Sequence, residues 1–405
     1  MKNIICLMIL FLFIQAPAHS QWVKMDSLSN VVWSFASSGK HLYCCTLSNG
    51  VYCSVDSGAS WTPCNNGLTS LSVRSMATKD SILVIGTYGG VFKSTNYGQS
   101  WVPANYGIYF PDIRYVTFRG DSIVVGSFGG GVYVSLDQGN SFYTTNYGMT
   151  DHYVNSTFFN DTRMFCGGEG GGGIFVSNDF GISWGPKNYG VPRNPWVPSK
   201  YETILSFTSN GQSIFASTWD GQMLKSDDNG ESWTSTNVGL SGVDDYINSV
   251  ISCNGVLFAA CYGPGVYRSL DNGMSWLATN DSLTDWGAQA VFVFGNYLFT
   301  GTINGYVFRR NLNEVVTGVD YVKSISTSTV FPNPVTGESK LTIPGYHEGS
   351  YILFVFSADG KLIKEIKQTE TNYFSLFKSD FANGMYCFSL KQNGVQVSTG
   401  KFVVL

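Results

Sequence analysis

Six short segments of the chain set an aspartate or asparagine two residues after a serine, a glycine two further on and a second serine two beyond that. The residues are Asp56, Asn96, Asp137, Asp179, Asp228 and Asp271. So many acidic groups invite an acid–base reading, because glycosidic hydrolysis takes two carboxylates about 5–10 Å apart. The local chemistry points elsewhere. An Asp or Asn beside a glycine that can take positive φ accepts backbone N–H bonds and closes a turn. These positions therefore read as structural, and the Trp or Phe after each second serine reads as core.

Other carboxylates remain for a catalytic pair: Asp112, Asp151, Glu169, Glu202, Asp220, Asp244, Asp245 and Asp285. A serine nucleophile would need a histidine, and His152 is the one near them. After residue 20 the chain holds only His41, His152 and His347 and no CxxC pair, so no metal site is expected. No catalytic residue and no cofactor is assigned. Gly167–Gly173 has the look of a phosphate loop, but it joins two strands and opens no helix, so it reads as a flexible turn.

The elements that would position these residues follow from a repeat. Taking Asp56, Asn96, Asp137, Asp179, Asp228, Asp271 and a worn copy at Asn311 as markers, the period runs from 40 to 49 residues. Each period divides into four short strands, as in Ile113–Arg119, 122–126, 132–135 and 142–145, the length of a propeller blade. Aromatic content of 15%, 46 glycines and 13% charge suit an all-β chain of tight turns. The segment Trp22–Leu28 matches Trp276–Leu283, an outer-strand sequence that the last copy lacks. The expected fold is a seven-bladed β-propeller over residues 21–313, its N-terminal strand closing the last blade and removing two open edges.

The S-x-D-x-G-x-S-W element resembles the Asp-box of sialidases, sortilin-like (BNR) receptors, some glycoside hydrolases and photosystem-assembly propellers. The resemblance implies that the element sits at the blade periphery. An early arginine motif of the sialidase kind is missing, and the xyloglucan-cleaving relatives use two propellers where this chain has one.

Ends and tail carry addresses. Lys2, the apolar run Ile4–Ile14 and Ala18–Ser20 form a signal peptide over residues 1–20, with cleavage between Ser20 and Gln21. No later run is long enough to span a bilayer. A Ser/Thr-rich linker is expected over 314–329. Residues 330–405 then alternate as strands, with Asp359-Gly360 and Asn383-Gly384 turns, a small β-sandwich. FPNP at 331–334, YIL at 351 and GMY…GKFVV toward the end resemble the C-terminal sorting domain of the type IX secretion system of Bacteroidetes. That resemblance implies the secretion machinery and its sortase as partners, and a product released or held at the cell surface. Cys44, Cys45, Cys53 and Cys64 cluster in the first blade, where Cys53 could bridge to a neighbouring strand. A net charge of −4 argues against nucleic acid.

The mouth of the central channel is the candidate binding site. Aligned first strands give a column of Trp33, Arg74, Arg114, Asn155, Glu202, Asn248 and Gln289, which serves either backbone and water or a ligand. Entry loops carry Tyr109, Phe110, Tyr153, Trp196, Tyr201, Tyr246 and Trp286; Tyr88, Phe128, Trp219 and Tyr262 lie between second and third strands. Such rings suit sugar faces or extended peptides, or pack on one another. The insertion 190–200, with Trp196, marks a binding side. A non-catalytic module for polysaccharide or protein is the reading, with an extracellular glycoside hydrolase as alternative.

Overall fold

A computed structural model describes residues 21–240, 246–316, 330–343, 351–357, 361–368, 371–392 and 395–405. The expected signal segment, the linker from 317 and the Asp359-Gly360 turn lie outside them. The chain divides into two compact units near residue 318. The first holds seven four-stranded antiparallel sheets, the blades of a propeller. Their innermost strands are Val32–Ser38, Val73–Lys79, Ile113–Arg119, Val154–Phe159, Ile204–Asn210, Ile247–Cys253 and Ala288–Phe294, in blades 1 to 7. Second strands are buried along almost their whole length, as a strand sandwiched between neighbouring sheets must be. Only the seventh blade takes its outer strand from elsewhere in the chain: Val23–Ser27 runs antiparallel to Tyr306–Asn311.

The serine–aspartate turns close the third and outer strands in blades 1 to 6. In the first, Ser54 Oγ donates to Asp56 Oδ1 (2.7 Å) and accepts the N–H of Gly58 (2.8 Å). Asp56 also accepts the N–H of Ser60 (2.9 Å) and its hydroxyl (2.6 Å). Asn96 builds the same turn by donating Nδ2 to Ser100 Oγ (2.9 Å). The worn seventh copy does not form it. Asn311 instead accepts the N–H of Asn313 (3.0 Å), and the helix Leu312–Val316 buries Leu312 and Val315 against Trp22. That helix runs past the expected propeller end at Asn313.

In blades 2, 4, 5, 6 and 7 a tryptophan ties the blade to the preceding one. The indole N–H of Trp101 reaches Cys64 O (2.8 Å), Trp184 reaches Thr145 O (2.5 Å), Trp233 reaches Lys187 O (3.1 Å) and Trp276 reaches Thr236 O (3.0 Å). Trp22 makes the same bond to Thr279 O (2.5 Å), so the N-terminal strand is a true fourth strand of blade 7. Across the seam the pattern breaks. The closing strand is irregular between Lys24 and Ser27, and the buried Trp61 indole has no partner. Arg309 crosses instead, donating to Ser57 O (2.5 Å).

The cysteines after residue 20 are free thiols. In blade 1 the Cys53 thiol donates to Ser54 O (3.9 Å) and the Cys64 thiol to Thr62 O (3.7 Å), in place of a bridge. The second unit is a β-sandwich of a three- and a four-stranded sheet, closed on Leu341, Leu353, Val355, Phe374, Phe388 and Phe402. Strand Tyr351–Ser357 alternates buried and half-buried residues, as one inward face requires.

Two outcomes are expected. Trp233 is buried against Phe207, so Trp233→Ala should cost about 3–5 kcal/mol and lower the melting temperature. In acid, the hydroxyl and backbone donors of Ser60 and Ser141 hold Asp56 and Asp137 down at about 2, from 3.8. A carboxyl depressed on folding contributes stability above 3.8 that is lost as pH falls toward 2. Melting curves should therefore hold to about pH 4 and fall below it. Asp137→Asn, copying Asn96, should leave the neutral melting temperature in place and flatten that acid limb.

Candidate functional site

In all seven blades the pairing of first and second strands slips by one residue at the same place. The extra residues are Trp33, Arg74, Arg114, Asn155, Leu205, Asn248 and Gln289. A bulge leaves its residue out of the ladder and re-aims its side chain. Six of these seven line a channel cavity of about 470 Å³ themselves, and Leu205 lines it too. A second layer stands above. Leu47, Tyr88, Phe128, Glu169, Trp219, Tyr262 and Ile303 each donate a backbone N–H to the carbonyl two residues before a bulge, at 2.8–3.3 Å. Entry loops and second-to-third-strand loops are thereby laced together on one face, the mouth.

Six residues of the column expected from the sequence occupy the bulge register, and in blade 5 the expected residue does not. Leu205, not Glu202, occupies the register in blade 5, because the insertion 190–200 shifts the count by three residues. Glu202 lies before that strand, only 1% exposed, and does not line the cavity. Its Oε2 accepts the N–H of Thr203 (3.3 Å). Burial first, and then the charge of Asp220, hold its carboxyl above the ordinary range. Trp219 lines the cavity, whereas Trp196 stands 88% exposed in the insertion.

Chemistry is unequal around the mouth. On the side of blades 1 to 3, the Arg74 guanidinium lies 4.5 Å from the Trp33 ring and 5.1 Å from Tyr88, and donates to the Tyr88 hydroxyl (2.8 Å). Arg114 stacks on Phe128 (4.2 Å) and grips Asp112 with two bonds of 3.0 Å. Arg74 has no carboxylate partner among the described residues. Trp33 Nε1 and Arg74 Nε are buried without an acceptor. On the opposite side, Trp219, Tyr246 and Tyr262 pack in series, tilted on one another, with centroids 3.8 and 5.5 Å apart. Those three rings, with Phe128 on Tyr153 (4.7 Å), pack on one another, whereas Tyr109 stays 80% exposed.

Most mouth carboxylates are occupied. Asp112 is held by Arg114, Asp220 by Thr218 and Gln222, and Asp285 by Gly287 and Asn304. Asp151 accepts the N–H groups of Tyr153 (3.0 Å) and Gly172 (2.9 Å). The glycine run is therefore not the flexible turn expected: it wraps buried Asp151 so closely that a Cβ on Gly170 would lie 2.4 Å from its Oδ1. Asp244 and Asp245 lie outside the described residues. Glu169 is exposed and lines the cavity.

Sequence reasoning passed over Leu205 and a second recurrent triplet, Asn-x-Gly, four residues after the Trp or Phe in blades 1 to 5, with Asn280-Asp281-Ser282 in its place in blade 6. Its asparagines clamp the turn that leads into the third strand of the same blade: Asn146 accepts the N–H of Val132 (2.8 Å) and donates to Gly130 O (2.8 Å). The spacing from Trp or Phe was the available signal.

Residues 329–405 match the family model of the secretion system C-terminal sorting domain. The chain is thus a secreted or outer-surface protein that engages the secretion machinery. Among the described residues no helix is long and apolar enough to cross a membrane. No curated protein sequence matches. Among solved structures, the chain resembles YCF48 bound to D1 peptide (15% identity, TM-score 0.57, 73% of this chain and 98% of that one). It resembles PorZ, a surface component of the type-IX secretion system of Porphyromonas gingivalis (13%, 0.55, 94% and 60%). A GH74 xyloglucanase from Xanthomonas campestris is similar too (17%, 0.56, 73% and 54%). These likenesses establish the propeller fold.

Trp33→Phe removes a buried donor that has no acceptor, so it should leave the melting temperature unchanged or slightly higher. A fall of several degrees in a thermal scan would mean that the indole N–H is already satisfied within the fold.

Proposed function

We propose that the propeller is a non-catalytic binding module, presented outside the cell, whose ligand is an acceptor-rich protein segment entering the channel mouth. One observation carries this reading: two N–H donors, Trp33 Nε1 and Arg74 Nε, lie buried at the bulge ring with nothing to accept them. An unmet donor costs free energy, and a ligand carbonyl or carboxylate would recover it. Arg74 adds a positive charge with no carboxylate partner among the described residues, while Asn155, Asn248 and Gln289 line the rest of the wall. The packed rings of Trp219, Tyr246 and Tyr262 offer an apolar face to the same ligand. YCF48, which shares the propeller fold, has been captured with a D1 peptide. Kinship with the Asp-box propellers agrees with the serine–aspartate turns. A signal peptide cleaved after Ser20 and a sortase acting on the tail complete the proposed route of export.

A hydrolase is the second reading, favoured by one feature: Glu202, raised by burial, beside the charge of Asp220. An acid held above its usual range next to a second carboxylate is the arrangement glycosidases use. Its burial away from the cavity weighs against that role.

The test is binding of the purified secreted chain to a labelled peptide library, run beside native gels containing soluble polysaccharides. Peptide binding should weaken at least about tenfold in Arg74→Gln, the loss of one charge-assisted bond. Cleared zones in the gels that vanish in Glu202→Gln would establish the hydrolase instead. Polysaccharide retardation that depends on Arg74, with no peptide bound, would replace the protein ligand by a glycan.

A further inference from the structure

Outside the channel, the Asn-x-Gly turn sets its middle residue at one equivalent place in successive blades. Blades 1 and 5 put Asn66 and Val238 there, and the equivalent Asn-Asp-Ser turn of blade 6 puts Asp281, so the fold accepts a small, branched or charged side chain. Blades 2, 3 and 4 put Tyr106, Tyr147 and Tyr189 there, exposed by 80, 81 and 81%. Only the backbones of these tyrosines are used: their carbonyls accept the N–H of Phe142 (2.8 Å), Trp184 (2.8 Å) and Trp233 (2.9 Å) of the following blade. The glycine after each ring has no substitute. Gly107 takes φ 90°, and a Cβ on it would lie 1.9 Å from the Phe142 carbonyl. Three rings therefore stand on clamped backbone, in consecutive blades, where packing asks for none.

The next connection extends the same sector. Past Tyr189, the Asn194 side chain accepts the N–H groups of Trp196 (3.0 Å) and Val197 (2.9 Å), and Arg193 stacks on Tyr201 (3.7 Å). This ordered loop holds Trp196 out in solvent. Beside it an open groove of about 670 Å³ runs past Tyr189, lined by Thr150, Arg193, Ser199 and Tyr201.

We propose that Tyr106, Tyr147 and Tyr189 form a glycan track on the rim of the mouth face, binding an extended, uncharged polysaccharide by stacking on sugar units spaced along it. Rings set singly on polar turns match a ligand that presents apolar faces at intervals; a protein partner would call for one continuous apolar patch. The track is separate from the channel and does not depend on its ligand.

Native electrophoresis of the purified secreted chain through gels of hydroxyethyl cellulose, mixed-linkage β-glucan and galactomannan tests it. Wild type should be retarded by at least one polymer, with roughly tenfold weaker binding for each Tyr→Ala change. The triple variant should migrate freely at an unchanged melting temperature, since the side chains support nothing. Arg74→Gln should be retarded as wild type is. Free migration of wild type in all three gels would overturn the track, as would retardation of the triple variant. So would glycan binding lost in Arg74→Gln, which would place the sugar in the channel.

Discussion

Five of the seven blades are fastened to their predecessors by a tryptophan whose indole N–H reaches a backbone carbonyl on the neighbouring blade. The same residue carries the apolar mass that fills the gap between sheets, so one side chain supplies both burial and direction. The serine–aspartate turn exists to deliver it. By tying Ser54, Asp56, Gly58 and Ser60 together, the turn fixes where Trp61 leaves the hairpin, and the repeats do likewise. Carboxylates that could have been mistaken for acid–base groups are spent on geometry.

With the blades held in register, the inner edge becomes a place where chemistry can vary freely. A bulge in each first strand releases one residue from pairing and points it inward, so the ring of seven is set by backbone and filled by sequence. The filling is lopsided. Arginines and unmet donors gather on blades 1 to 3, and packed aromatic rings on blades 5 and 6. Packing alone would not require that asymmetry in a fold built from near-identical units.

How much of this the sequence disclosed depends on whether the signal was local. The turn, the blade period and the strand borrowed from the N-terminus are local patterns, and all were legible. The column of inward residues was legible where blades keep their length. It failed at blade 5, where a longer connection moved an acidic side chain into a count that belongs to Leu205. The wrapping of the glycine run around Asp151 depends on a partner some twenty residues upstream, and composition suggested only looseness. The Asn-x-Gly triplet was overlooked because its asparagines do backbone work and its variable middle residue looks like ordinary surface.

The closing strand has a consequence for the order of manufacture. Blade 7 needs Val23–Ser27 from the beginning and Tyr306–Asn311 from the end of the propeller. The sorting domain follows that last strand in the sequence. A chain broken off early therefore lacks both the final rung of the ring and the address that takes it out of the cell. The label is attached last, so carrying it certifies that every part of the ring has been made.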